Sequence, residues 1–262
     1  MVDSRVACVE ENLLAFMALL VDRPPLRSDP DTDLVSFSSP IPFPLFNAAM
    51  GASFAPADVE RRTHEVLDRA VQRGMPFLWW LTPSTTSPAL EATLAARGLV
   101  REEVPGMYAD LTRDLPAPAV QPGPEFRVEE TEPDEMSTVV DTMVAGFGMP
   151  DLVRDALRQV MGGIETRQMI TVLARAGGAV VGTGTLFFTA ESAGLYNIAT
   201  LESARGRGIG YAVTAALMEL ARSHAHDTAV LHASALGRPV YERLGFVEVC
   251  QVPQYLWLPP AT

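Results

Sequence analysis

The residues best suited to chemistry lie in the last quarter of the 262-residue chain. Arg205-Gly206-Arg207-Gly208-Ile209-Gly210 stands between an apolar segment, Leu195–Thr200, and a stretch from about Gly208 to His224. The apolar residues Ile209, Val213, Ala216, Leu217 and Leu220 of that stretch recur at helical spacing. A loop entering a helix presents main-chain N–H groups that have no acceptor inside the helix, and the helix dipole favours negative charge there. Glycines let a ligand approach the main chain closely, and two arginines add charge, so the segment suits a diphosphate. A flexible loop that merely caps a helix has the same composition. It is not a dinucleotide fingerprint: counted from Gly206, the last position of Gly-x-Gly-x-x-Gly is Tyr211, and no acidic strand end follows about 20 residues on. The second element is Tyr241, in Arg238-Pro-Val-Tyr-Glu-Arg-Leu-Gly-Phe246. A tyrosine hydroxyl, with a pKa of about 10, can donate a proton to a departing thiolate. An amphipathic packing tyrosine is the other reading of that position.

Positioning these residues requires a strand before the loop, a helix after it, and a strand before Tyr241. The pattern supplies them: strands at Met169–Arg175, Val180–Phe188, Leu195–Thr200 and Ala229–Ala233, the long helix 208–224, and a short helix Pro239–Leu244. A strand at Phe126–Glu130 and helices after Glu132 and from Asp151 to Met161 precede them; strands at Phe246–Val252 and Tyr255–Leu258 close the chain. The first half repeats the mixed order, with helices at 11–21, 56–73 and 88–97 and strands at 34–38, 45–50, 77–81 and 107–111. Four prolines at 116, 118, 122 and 124 make a stiff connector, which sets an expected division into residues 1–115, a linker 116–124 and residues 125–262. Setting Gly98 on Gly245 lays 87–99 over 238–246, which suggests two copies of one domain, with Leu94 falling where Tyr241 sits.

Composition excludes several classes. Arginine supplies all 20 basic residues against 32 acidic ones, for a net charge of −12, with the excess shared equally between the halves. Such a surface repels phosphate backbones, and a chain without lysine has neither a Walker loop nor Schiff-base chemistry. Cys8 and Cys250 form neither a disulfide framework nor a zinc knuckle, and no metal is expected. The longest apolar run, Leu13–Val21, is shorter than the roughly 20 residues of a membrane span. With no leader pattern at the start, the expected setting is cytoplasmic, with no membrane or nucleic-acid partner.

Taken together, the strand, the Arg205-x-x-Gly208-x-Gly210 loop, the long helix, the next strand and Tyr241-Glu-Arg-Leu-Gly-Phe246 resemble the acetyl-CoA-binding core of the GNAT N-acetyltransferase superfamily. The resemblance covers roughly Phe126 to Leu258. The N-terminal half resembles the divergent partner domain of tandem GNAT proteins, through Asn47, Pro76–Pro83 and Gly98. The fold it implies is α/β (α+β): two tandem GNAT-like domains, each a mixed, mostly antiparallel sheet flanked by helices. The function it implies is acetyl-CoA-dependent transfer to a primary amine of a small molecule by direct attack, in a monomer or homodimer. A non-catalytic acyl-CoA-binding module or sensor is the alternative.

By the same resemblance the amides of Arg205, Gly206, Arg207, Gly208, Ile209 and Gly210 hold the CoA pyrophosphate. The edge of Ile198, Ala199 and Thr200 pairs with pantetheine, Ser234 touches the cofactor arm, and Tyr241 is the general acid. Glu202 stands where many members carry proline. Glu191, Glu202 and His232 are candidates for the base, with a solvated acid or a core histidine the plainer reading of each, and Asn197 for positioning substrate or water. Phe147 to Arg167 is the candidate acceptor segment. No such loop exists in the first half, where no glycine occurs between Gly51 and Gly74. At most one of Trp79 and Trp80 can line a substrate cleft between the halves, since adjacent strand residues face opposite ways, and core packing is the default for the other. His224 and His226 read as a helix-end cap, His64 has no metal-type partners, and the two cysteines read as core or semi-buried thiols.

Overall fold

The computed structural model describes residues 3–117, 123–164 and 167–260. In chain order it forms α1 (Ser4–Leu20), β1 (Arg27–Ser28), β2 (Val35–Ser38), β3 (Ala48–Met50), α2 (Val59–Arg73), β4 (Phe77–Trp80) and α3 (Pro88–Ala96). Next come β5 (Val100–Glu102), β6 (Pro105–Asp110), β7 (Phe126–Glu130), α4 (Met136–Phe147), α5 (Arg154–Met161), β8 (Met169–Ala176) and β9 (Ala179–Phe188). The chain ends with β10 (Ala193–Thr200), α6 (Ile209–Ser223), β11 (Thr228–His232), α7 (Arg238–Arg243), β12 (Val247–Gln251) and β13 (Gln254–Trp257). No helix among the described residues is long and apolar enough to cross a membrane.

Two compact units result, each a mixed sheet flanked by helices. One consists of Met1–Phe16 with Pro105–Val249, the other of Met17–Val104 with Cys250–Thr262. The first unit holds the strand order β12-β6-β11-β10-β9-β8-β7, and the second β1-β2-β3-β4-β13-β5. Each sheet contains a parallel pair, β10 with β11 and β3 with β4. This differs from the expected cut at 116–124. β6, assigned to the first half, pairs antiparallel with β11, with Met107 opposite Leu231. β13, assigned to the second half, lies antiparallel between β4 and β5. The reason is that β11 and β4 would otherwise each present an open edge, and only these strands complete their ladders. Residues 118–122 of the expected linker lie outside the described residues.

The suggested overlay of 87–99 on 238–246 holds in backbone detail. Gly98 and Gly245 both take left-handed φ, 80° and 90°. Gly98 donates to Ala95 O and Leu99 to Leu94 O, just as Gly245 donates to Glu242 O and Phe246 to Tyr241 O. Both helices therefore end in the same Schellman arrangement, which a Cβ at the left-handed position would strain.

In the first unit α6 lies on β9, and two glycines on one face of that strand set how closely. A Cβ on Gly184 would come within 2.8 Å of Leu217 Cδ1 and 2.9 Å of Val213 Cγ1. A Cβ on Gly182 would meet Ala199 O at 2.9 Å and Ile209 Cγ2 at 3.3 Å. The fully buried Val213 and Leu217 thus seat in a strip that has no side chains of its own, and this holds the start of α6 beside β10. Gly184→Val should lower stability by about 1–3 kcal/mol through overpacking. The urea midpoint measures it, and an unchanged midpoint would mean that α6 is not held by this contact.

Candidate functional site

The site begins where two strands part. β10 and β11 run side by side only from Ala193/Ala229 to Leu195/Leu231. Beyond that, β10 stays with β9 through a bulge between Tyr196 and Ala199, where Asn197 takes a left-handed φ of 53°. One edge of Ile198, Ala199 and Thr200 therefore faces away from any strand, into a cavity of about 460 Å³. Ser234 and Tyr241 line the opposite arm of this fork.

At the outer end of the fork lies the glycine-rich loop. Gly206 and Gly208 are both left-handed, with φ of 73° and 77°. The first N–H of α6 with a helical acceptor is that of Ala212, which donates to Gly208 O at 3.0 Å. The amides of residues 206–211 precede it without a backbone acceptor among the described residues, and no acid lies in the first turn. Arg205 departs from the expected role: its N–H donates to Glu202 O, and its guanidinium donates to Gly146 O at 2.8 Å. That carbonyl ends α4, so Arg205 ties α4 to the loop by capping a helix C-terminus. The tie is close, since a Cβ on Gly146 would lie 2.9 Å from Ala199 Cβ. Arg207 is exposed and lines a second cavity rather than the fork.

The charge at the fork is opposite in sign to that of the whole chain. Arg154, Arg158, Arg175, Arg222 and Arg238 each have a carboxylate partner. Arg205, Arg207 and Arg243 have none among the described residues, and Arg205 and Arg243 line the cavity together with Gly206, Gly208 and Gly210.

Ser234 organises the other arm. Its carbonyl accepts from Gly237 and Arg238, and its Oγ accepts from Gly237 N at 3.1 Å, turning the chain into α7. Its own O–H proton is still available to donate. Tyr241 packs against Gly237, where a Cβ would come within 2.8 Å of the ring and 3.1 Å of its hydroxyl. Phe246 holds the other side of the ring edge-on, with centroids 6.0 Å apart. Tyr241 is 8 % exposed, and burial pushes its pKa up to about 12, so the phenol keeps its proton at neutral pH. No hydrogen bond among the described residues engages its hydroxyl.

The candidate bases are not brought to this cavity. Glu191 and Glu202 are exposed, one in the turn before β10 and the other in the turn after it. His232 ends β11 at the closed end of the fork, ring against Tyr196 with centroids 6.5 Å apart, and burial lowers its pKa to about 4. Asn197 sits in the bulge and donates to Thr185 Oγ1 at 3.4 Å. Of the acceptor segment, Phe147 is exposed and lines the cavity, while residues 165 and 166 lie outside the described residues. At the closed end of the fork the structure brings together two residues that sequence reasoning passed over, Asn12 and Tyr196, whose hydroxyl donates to Asn12 Oδ1 at 2.8 Å. No local pattern marks them, because the contact spans 184 positions.

The other residues singled out in the sequence serve packing. Trp79 is fully buried between Phe54 and Phe77, which removes it as a cleft residue. Asn47 is buried and anchors the turn before β3 by bonds to Ser39 N, Ile41 O and Phe43 O. His224 and His226 both stack on Phe188, and His64 accepts from Arg97. Leu94, at the Tyr241 position of the overlay, is wholly buried, and α2 begins with Glu60 in its first turn. Cys8 and Cys250 are not joined in a disulfide, and both are partly exposed. Among the described residues no group of three or more His, Cys, Asp or Glu is placed to hold a metal ion.

His232 gives the site a measurable titration. An exposed histidine protonates near pH 6.5, so a folded value of about 4 means that the stability it contributes is fully present above 6.5 and is lost as the pH falls through 4. NMR titration of its ring protons should show a midpoint near 4, and the urea midpoint of His232→Phe should fall less between pH 7 and pH 4.5 than that of the wild type. A ring midpoint near 6.5 would contradict the enclosure of this residue.

Comparison with known proteins places this geometry. Residues 135–255 match the family model described as the acetyltransferase (GNAT) domain. Among solved structures the chain is similar to a GCN5-related N-acetyltransferase from Kribbella flavida, with a TM-score of 0.70 at 16% identity, over 100% of this chain and 98% of that one. It is also similar to a GCN5-related N-acetyltransferase from Sphaerobacter thermophilus, with a TM-score of 0.63 at 16% identity over 87% and 81% of the two chains. For a putative GNAT-family acetyltransferase from Novosphingobium aromaticivorans the TM-score is 0.54 at 15% identity over 89% and 92%. At these identities the likeness is one of fold, and it takes in both halves of the chain. No curated protein matches.

Proposed function

We propose that the chain is an acetyl-CoA-dependent N-acetyltransferase whose single cofactor site is the fork between β10 and β11. One observation carries this reading: a single cavity joins an unpaired strand edge, a row of helix-start amides with arginines that lack carboxylate partners, and a buried phenol whose hydroxyl is unengaged. Those are the groups that a diphosphate, an extended amide-bearing arm and a departing thiolate require.

Bound there, acetyl-CoA supplies an acetyl group already activated as a thioester. The amides of residues 206–211 are the diphosphate donors, so the set loses Arg205 and gains Tyr211 relative to the expectation from sequence. Arg243 adds a cation on the cavity wall. The edge of Ile198–Thr200 takes the arm as an added strand and offers N–H groups to a carbonyl oxygen that gains negative charge. Ser234 donates its hydroxyl from the facing arm. Tyr241 holds, at its phenolic oxygen, the proton that the leaving thiolate needs; its raised pKa keeps that proton in place until a base as strong as a thiolate forms beside it. A neutral primary amine, entering from the Phe147 side, is the acceptor.

A second reading has its own observation. Among the described residues, those lining the cavity include no carboxylate and no imidazole to take the amine's proton. A site that binds acyl-CoA without transferring it fits that absence, and product formation with a panel of amines separates the two.

Titration calorimetry should give one acetyl-CoA per chain. Gly208→Asp should abolish binding, because it adds a side chain at φ 77° and a carboxylate beside the phosphate site. Tyr241→Phe keeps the packing, so affinity should stay within a few-fold while the single-turnover rate falls by ~10²-fold or more. Two ligands per chain, or no binding at millimolar concentration, would refute the site; a wild-type rate in folded Tyr241→Phe would refute the acid.

A further inference from the structure

The closed end of the fork is built partly by a helix far away in sequence. Tyr196 is the residue at which β10 leaves β11, one position beyond the last paired couple Leu195/Leu231, and His232 is its counterpart on β11. Their rings face one another at the apex, 26° from parallel. Phe16 of α1 also stacks on the Tyr196 ring, at 3.9 Å and 9°. Asn12, one turn earlier in α1, is fully buried. Its Oδ1 accepts from the Tyr196 hydroxyl, and its Nδ2 donates to Ser192 O at 3.1 Å and Ser192 Oγ at 3.0 Å. The carboxamide thus bridges the start of β10 to the residue at its departure point. Gly194, between them, has no room for a side chain: a Cβ would overlap Asn12 Oδ1 and lie 2.5 Å from Tyr196 Cε2.

A buried amide with both ends bonded is more than packing needs. An apolar residue on α1 would fill the same space without the desolvation that a carboxamide carries. What the amide adds is direction, because it fixes the position of the Tyr196 hydroxyl, and with it the height of β10 at the residue before the bulge. Asn197, next in line, has the left-handed φ that turns the 198–200 edge toward the cavity.

Resting on the acetyl-CoA reading, the direction of the arm follows. The diphosphate donors lie beyond Thr200, so an arm laid along Thr200, Ala199 and Ile198, at ~3.3 Å per residue, brings its acyl end toward Tyr196. We propose that Asn12 is a positioning residue of the transfer site: through Tyr196 it sets the apex against which the acetyl group rests. The N-terminal helix is then a working part of the site, although it lies outside residues 135–255 that match the acetyltransferase domain.

Calorimetry with CoA and with acetyl-CoA tests this without any acceptor, on wild type, Asn12→Ala and Tyr196→Phe. Only the acetyl group reaches the apex, so CoA affinity should stay within twofold in both variants while acetyl-CoA affinity shifts by fivefold or more. In the double variant the shift should be no larger than in the single variant with the larger shift, since both act through one hydroxyl. Tyr196→Phe removes only an oxygen, and it keeps the test open where Asn12→Ala unfolds. Equal changes for the two ligands, no change for either, or additive shifts would overturn the proposal. Wild type that binds neither ligand would overturn the acetyl-CoA reading itself, and this inference with it. Where an acceptor is in hand, Tyr196→Phe should lower kcat at least tenfold, with the KM for acetyl-CoA moving no further than the measured acetyl-CoA affinity does. A rise in KM with unchanged kcat would contradict a role at the apex.

Discussion

Main-chain polar groups without a protein partner must meet water or a ligand, and the fold around β10 lines up a row of them. The parallel pairing of β10 and β11 lasts for three residues. After it ends, β10 retains a neighbour on one side alone, and the turn into α6 leaves six further amides, 206–211, with no acceptor in the backbone ladder. These groups are solvated or they meet a ligand. Much of the surrounding structure keeps them together: Gly182 and Gly184 let α6 sit low on β9, Arg205 ties α4 to the loop, and Gly237 leaves space for Tyr241 on the opposite arm.

The second unit carries a similar architecture with different side chains around it. It has a parallel pair, a helix after it, and a short helix closed by the same glycine-centred hydrogen bonds. Its helix starts with Glu60 in the first turn, which disfavours an anion, and Leu94 fills the place of the phenol. Burial at that position is conserved in geometry while the proton donor is not present. Under the proposed function, similar backbones divide between a chemical and a structural task through a few side chains, as is general for folds that host many functions.

The parts legible in the sequence were those set by neighbours. The 205–210 loop, the amphipathic α6 and the short helix bearing Tyr241 each depend on residues within one or two turns, and their positions agree with the structure to within a few residues. Even the Gly98/Gly245 overlay was visible, because a left-handed cap imposes its glycine locally. Long-range pairing was not legible. Nothing in Pro105–Asp110 says that it completes β11, nor in Gln254–Trp257 that it completes β4. α1 was expected from residue 11 and begins at Ser4, since its first turns are fixed by burial of Val9 and Asn12 and not by a strong polar-apolar alternation. Arg205 looked like a phosphate ligand because only its neighbours in sequence were visible, whereas its partner is Gly146.

The central claim is that the unsatisfied amides of the fork are the ligand's donors, and amide hydrogen exchange read by mass spectrometry, with and without acetyl-CoA, tests it most directly. Peptides covering 206–211 and 198–200 should exchange more slowly with ligand present, and those from Arg27 to Glu102 should be unaffected. Protection that falls in the second unit, or that spares 206–211, would contradict the account.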